Sequence, residues 1–152
     1  MKKKNFKRYK KFNPEKLTAV NIHRMAITNH AFERYNERVF KNFPVGYESL
    51  STQTKLAVEK CLKYQLRINN INEKITWPCL EDNGRKAQMI SLFTKGYLEI
   101  VVLKTESANY VIKTVFQYPK NEIGKRAYNK KIKERKEVSK KRTEAFYAST
   151  AS

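Results

Sequence analysis

The sequence predicts an α+β fold, with two N-terminal helices followed by an antiparallel sheet of about four strands and a basic C-terminal helix or tail. Three observations carry this expectation. Apolar residues at helical spacing fall within 28–68. Runs of β-branched and aromatic residues, broken by turn residues, occupy 74–118. From 120 onward charged residues replace apolar ones.

Thr28 is a good N-cap, and Phe32, Tyr35 and Val39 share one side of a helix running to about Phe40, which Pro44 and Gly46 end. A longer helix is expected from Ser51 to Ile68, with Leu56, Cys61, Leu62 and Leu66 inward and Asn69, Asn70 and Asn72 at its exit. Lys74–Cys79 reads as a short strand stopped by Pro78. Gln88–Thr94 and Tyr97–Lys104 read as strands joined by a turn at Lys95-Gly96. Tyr110–Tyr118 is a further strand closed by Pro119. The longer strands are apolar on more than one face, so helices should cover the sheet. From Asn121 a charged helix, interrupted by Gly124, runs towards Phe146. Its sparse apolar residues predict an exposed or partner-bound helix.

A chain of 152 residues suits one domain with one core. Lys and Arg number 33 against 14 acids, a net charge of +19, which concentrates polyanions without specifying a fold. The charge is unevenly spread. Residues 2–11 hold seven cations and no acid, residues 120–142 hold eleven cations and three acids, and 13–119 carries only +5. This divides the chain into a basic arm (1–12), an α+β domain (13–119) and a basic helical or disordered extension (120–152). Lys3, Lys4, Lys7, Arg8, Lys10 and Lys11 in the arm, with Lys130, Lys131 and Arg135 in the extension, are candidate phosphate contacts. Phe6, Tyr9 and Phe12 lie among the arm's lysines, placed either to stack on bases or to anchor the arm.

No apolar run reaches membrane-span length and the N-terminus lacks a signal-peptide core, so a cytoplasmic protein with no membrane partner is expected. Cys61 and Cys79 form no CxxC pair and read as reduced, buried small hydrophobes. Two histidines and two scattered cysteines suggest no metal site, and four glycines form no phosphate-cradling loop; no cofactor is expected. His23 reads as a surface residue. Trp77 suits core packing better than base stacking, and Tyr118, Tyr128 and Tyr147 suit either nucleic-acid contact or amphipathic packing.

The sharpest local pattern is Ile27-Thr28-Asn29-His30-Ala31-Phe32-Glu33-Arg34-Tyr35-Asn36-Glu37-Arg38. On a helix, His30, Arg34, Glu37 and Arg38 fall on one side and Phe32, Tyr35 and Val39 on the other. A histidine can take or give a proton near neutral pH, and arginine forks hold a phosphodiester in a bidentate manner. Such a set suits metal-independent cleavage of RNA, in which a ribose 2′-OH is deprotonated, the leaving oxygen is protonated and cations stabilise the phosphorane. A surface or capping role for His30 is the alternative.

The His-Ala-x-x-Arg-x-x-x-Arg pattern at His30, Ala31, Arg34 and Arg38 resembles the first-helix motif of the barnase–EndoU–colicin–RelE-like nuclease superfamily. The strand ending Lys113-Thr114-Val115-Phe116 resembles a late strand of its small phage- and toxin-type members. The resemblance covers about residues 26–118. It implies a metal-independent endoribonuclease, or a relative that has lost activity, with His30 as acid or base, Arg34 and Arg38 as phosphate binders and Thr114 as the hydroxyl facing the scissile group. Lys113 is a further candidate nucleic-acid contact, but it shares a cleft with Thr114 only if the strand bulges. The resemblance also implies a protein antitoxin or host protein as a partner besides nucleic acid, RNA favoured. Three functions are therefore expected: a ribonuclease, a non-catalytic nucleic-acid binder, and an inhibitor or adaptor that grips a host protein. Catalysis requires His30, Arg34 and Thr114 to converge on one phosphate-sized spot. The inhibitor reading requires an exposed apolar patch beside the charge.

Overall fold

The computed structural model describes residues 25–80, 86–105 and 110–151. The basic arm and His23 lie outside them. The order is β1 (Ala26–Ile27), α1 (Asn29–Arg38), α2 (Thr52–Gln65), β2 (Ile71–Leu80), β3 (Lys86–Thr94), β4 (Leu98–Lys104), β5 (Tyr110–Gln117) and α3 (Glu122–Ala151). The fold is α+β. Its sheet has five strands rather than about four, in the order β1-β5-β4-β3-β2. The added strand precedes the helices and pairs in parallel with β5, making the sheet mixed. Two residues are too few to display a strand periodicity, so the sequence carries no signal for it.

Local rules explain most element ends. The Thr28 hydroxyl accepts from the Ala31 N–H at 3.1 Å and caps α1. The same residue ties the helix to the sheet, since its N–H donates to the Ile112 carbonyl at 3.1 Å. Ser51 caps α2 by accepting from the Thr54 N–H at 3.0 Å. Between β3 and β4 the Tyr97 N–H closes the turn on the Thr94 carbonyl at 3.1 Å. The left-handed residue there is Tyr97, at φ 60°, although Gly96 is the residue that enters that region most cheaply. Tyr97 is held by its ring, which packs edge-on against Tyr128 with centroids 5.2 Å apart.

Alternation along the strands gives the sheet two faces. On one, Ile90, Leu92, Leu98, Ile100, Val102, Ile112 and Val115 pack against Ala31, Phe32 and Tyr35 of α1 and Val58 and Leu62 of α2. Leu66 is buried as expected, whereas Leu56, also expected inward, is 59% exposed and Val58 takes the core position. Ser51 fixes where α2 begins, and the docking of the helix on the sheet turns Val58, Leu62 and Leu66 inward.

On the other face, Ile75, Trp77 and Phe93 pack against Tyr128 of α3, with Met89, Tyr97, Tyr118, Ile132 and Val138 around them. The C-terminal helix, expected to be exposed or partner-bound, thus covers the sheet over its first half. Its contact stripe is Tyr128, Ile132, Arg135 and Ser139, at i, i+4, i+7 and i+11, and half of it is polar. Arg135 Nε donates to Glu99 Oε2 at 2.7 Å, and Ser91 Oγ donates to the same oxygen at 2.7 Å. The Glu99 side chain is fully buried. Ser139 Oγ donates to the Thr76 carbonyl at 2.6 Å and the Tyr128 hydroxyl to the Thr94 carbonyl at 2.8 Å. Gly124 admits the close approach of the preceding turn, because a Cβ there would lie 1.8 Å from the Pro119 carbonyl oxygen. No helix among the described residues is long and apolar enough to cross a membrane.

Candidate nucleic-acid interface

α1 presents its polar side as the sequence predicts, but its members are not equally available. His30 is exposed and makes no hydrogen bond or ion pair with any described residue. Arg34 Nη1 pairs with Glu37 Oε2 at 2.7 Å, both side chains being about one-third exposed (31% and 33%). Arg38 reaches round the edge of β5. Its Nη1 donates to the Val115 carbonyl at 2.7 Å, and its guanidinium lies 4.7 Å from the centroid of the Phe116 ring. Burial, with the like charge of Arg34 next, holds that guanidinium below its ordinary pKa, and Glu37 opposes the shift.

That edge is open because β1 covers only Val111 and Ile112. Beside it lies a cleft of about 440 Å³, lined by Glu37, Arg38, Lys41, Phe116, Gln117 and Tyr118. Lys41, two residues past the Val39 C-cap of α1, adopts a left-handed backbone, φ 60°, a region that glycine enters most cheaply. Arg38 and Lys41 give the cleft two cations, while its one acid is already neutralised by Arg34.

β5 does bulge. Val101 pairs with Thr114 and Val102 with Ile112, leaving Lys113 as the extra residue, and its side chain is exposed. Thr114 lies across from Val101, in the row of Glu99, on the sheet face that α3 covers. His30 belongs to a helix that packs on the opposite face. The structure therefore brings His30, Arg34 and Arg38 onto one helix but sends the Thr114 hydroxyl to the other side of the sheet. There it is buried and has no hydrogen-bond partner among the described residues.

The basic residues of α3 divide in the same way. Arg135 is committed to Glu99 and serves as a structural anchor rather than a free phosphate contact. Lys131 pairs with Glu134 at 3.6 Å and Lys136 with Glu73 at 3.1 Å. Lys130 is exposed and unpaired, as are Arg126, Lys133, Lys140 and Lys141 among the described residues. These last four were not singled out from the sequence. Once Tyr128, Ile132, Arg135 and Ser139 are known to face the sheet, helical periodicity places Arg126, Lys130, Lys133 and Lys141 on the outer side.

Several aromatic candidates belong to packing. Trp77 is 6% exposed and Tyr128 3%, both in the core beneath α3. Tyr118 is half-buried and stacks edge-on with Tyr128, centroids 5.9 Å apart. No group of three His, Cys, Asp or Glu side chains converges among the described residues. Compared with family models, curated proteins and solved structures, the chain matches none.

Proposed function

We propose that this protein binds nucleic acid, RNA in preference to DNA, with the outer side of α3 as its principal contact. The observation that carries this reading is the set of exposed cations Arg126, Lys130, Lys133, Lys140 and Lys141, unpaired among the described residues, along a helix of about 45 Å. A row of unneutralised charge on a rigid rod suits the release of counterions from a phosphate backbone. The cleft at the β5 edge, with Arg38 and Lys41, and the exposed Lys113 extend the same chemistry to the other end of the domain.

The test is a titration of labelled single-stranded RNA and of duplex DNA at stepped salt. The expected result is tighter binding of RNA and a steep log–log salt slope. Lys130→Glu, Lys133→Glu and Lys141→Glu together should reduce that slope by about 2, at about 0.7 per lost single-strand phosphate contact. A wild-type protein that leaves RNA free at low salt would sink the proposal.

A second reading, a metal-independent endoribonuclease, is favoured by one observation: His30 stands exposed, with no partner among the described residues, on the helix that carries Arg34 and Arg38. Releasing Arg34 from Glu37 to meet a phosphate costs little, because exposed ion pairs contribute about 0–1 kcal/mol. Thr114 has no part in this version. EDTA-resistant RNA cleavage that disappears in His30→Ala would support it, and equal, complete retention of intact RNA by both proteins would dismiss it.

A further inference from the structure

The second helix carries an unexplained charge pattern on its outward side. Residues 60–67 hold Lys60, Lys63 and Arg67 and no acid. Val58, Leu62 and Leu66 face the core, so helical periodicity turns Lys60 and Tyr64 away from the sheet and puts Lys63 at the helix flank, while Arg67 follows just past the end of α2. Lys60 and Arg67 are exposed, Lys63 is half-buried, and none of them is ion-paired among the described residues. Tyr64 is 56% exposed, with the Arg67 guanidinium 5.2 Å from its ring centroid, and Leu56 stands exposed one turn before Lys60. Lys60 and Lys63 lie about 5 Å apart along the helix axis, and Arg67 follows two residues past its end. An exposed aromatic ring among unpaired cations provides a base-stacking platform beside a phosphate track.

We propose that this side of α2 is a second binding surface for single-stranded nucleic acid, with Lys60, Lys63 and Arg67 on the phosphates and Tyr64 stacked on a base. The charge complementarity and the aromatic ring favour a nucleic-acid strand over an acidic protein as the occupant. The inference rests on the nucleic-acid reading above and adds a geometric consequence. α2 lies on one face of the sheet and α3 on the other, so their outward sides point away from each other. A single molecule therefore holds two strand segments at once.

The experiment mixes donor- and acceptor-labelled short single-stranded RNAs with the full chain and reads both stoichiometry and energy transfer. Lys60→Glu, Lys63→Glu and Arg67→Glu together should lower the stoichiometry by one segment and diminish the transfer, while the α3 site still binds. Tyr64→Ala should weaken the second segment roughly tenfold, the loss expected for one stacked base. All four positions are at least partly exposed, and thermal unfolding of each variant verifies that the fold is kept. Unchanged stoichiometry and transfer in the triple variant would overturn the α2 proposal and leave the α3 reading standing. No RNA binding by the wild type would remove both.

Discussion

On one face of the sheet Leu92, Ile100 and Val115 close against α1 and α2 almost without polar atoms, whereas on the other α3 is fastened by a buried ion pair, two side-chain bonds to strand carbonyls and a group of tyrosine rings. The first arrangement is secured by removing apolar area from water. The second depends on Glu99, Arg135, Tyr128 and Ser139 keeping their partners, because separating a buried polar group from its partner is costly. A helix as cationic as α3 offers few apolar residues with which to cover a sheet. It uses Arg135 and Ser139 to do so and leaves most of its lysines for solvent.

The largest effect is expected where the anchored face is cut. Arg135→Met strands Glu99 as a buried, uncompensated charge and should cost about 3–5 kcal/mol in denaturant unfolding. Adding Glu99→Met should restore most of the loss, since an apolar pair of similar volume replaces a buried ion pair at little cost. A single-variant loss below about 1 kcal/mol would mean that the pair does not anchor the helix.

On the apolar face, Leu62→Ala should cost about 2–5 kcal/mol in the same measurement. Leu56→Ala, on the same helix but exposed, should stay within about 0.5 kcal/mol. Similar costs at the two sites would contradict the phase of α2.

Gly124→Ala should destabilise by about 1–3 kcal/mol through overpacking against the Pro119 carbonyl, although alanine is the better helix former by about 1 kcal/mol. A gain in thermal stability would show that the start of α3 is not held against that turn.

The smallest expected effect lies at alkaline pH. Burial, with Glu99 next, pushes the Tyr118 phenol up to about 12, Arg135 opposing and Glu134 adding. A folded value above the unfolded one near 10 favours the neutral phenol in the native state. The contribution is therefore present below pH 10 and lost as pH rises towards 12. Tyr118→Phe should flatten part of that decline in a pH series of unfolding curves. It should not abolish it, because burial also raises Tyr35 on the other face.

Much of the fold was legible because short-range rules decided it. Thr28 and Ser51 begin helices by capping, Pro119 ends the last strand, and the β-branched content of 110–118 marks a strand. β1 was not legible, since two residues have no period, and its pairing depends on where α1 brings the chain back to β5. Leu56 and Val58 are both apolar, and only the orientation of α2 selects between them. Thr114 was legible as a strand hydroxyl but not by its face, because a one-residue bulge at Lys113 shifts the alternation that places it.

By itself the sequence determined the net charge, the helix caps and the approximate extents of four strands, all properties of neighbouring residues. Only the tertiary structure decided which cations remain available. Arg135 and Lys130 look alike in the sequence, yet the carboxylate of Glu99, thirty-six residues away, binds one and leaves the other in solvent. A charge becomes structural or functional according to its neighbours in space, and those are set by the packing of α3 on the sheet.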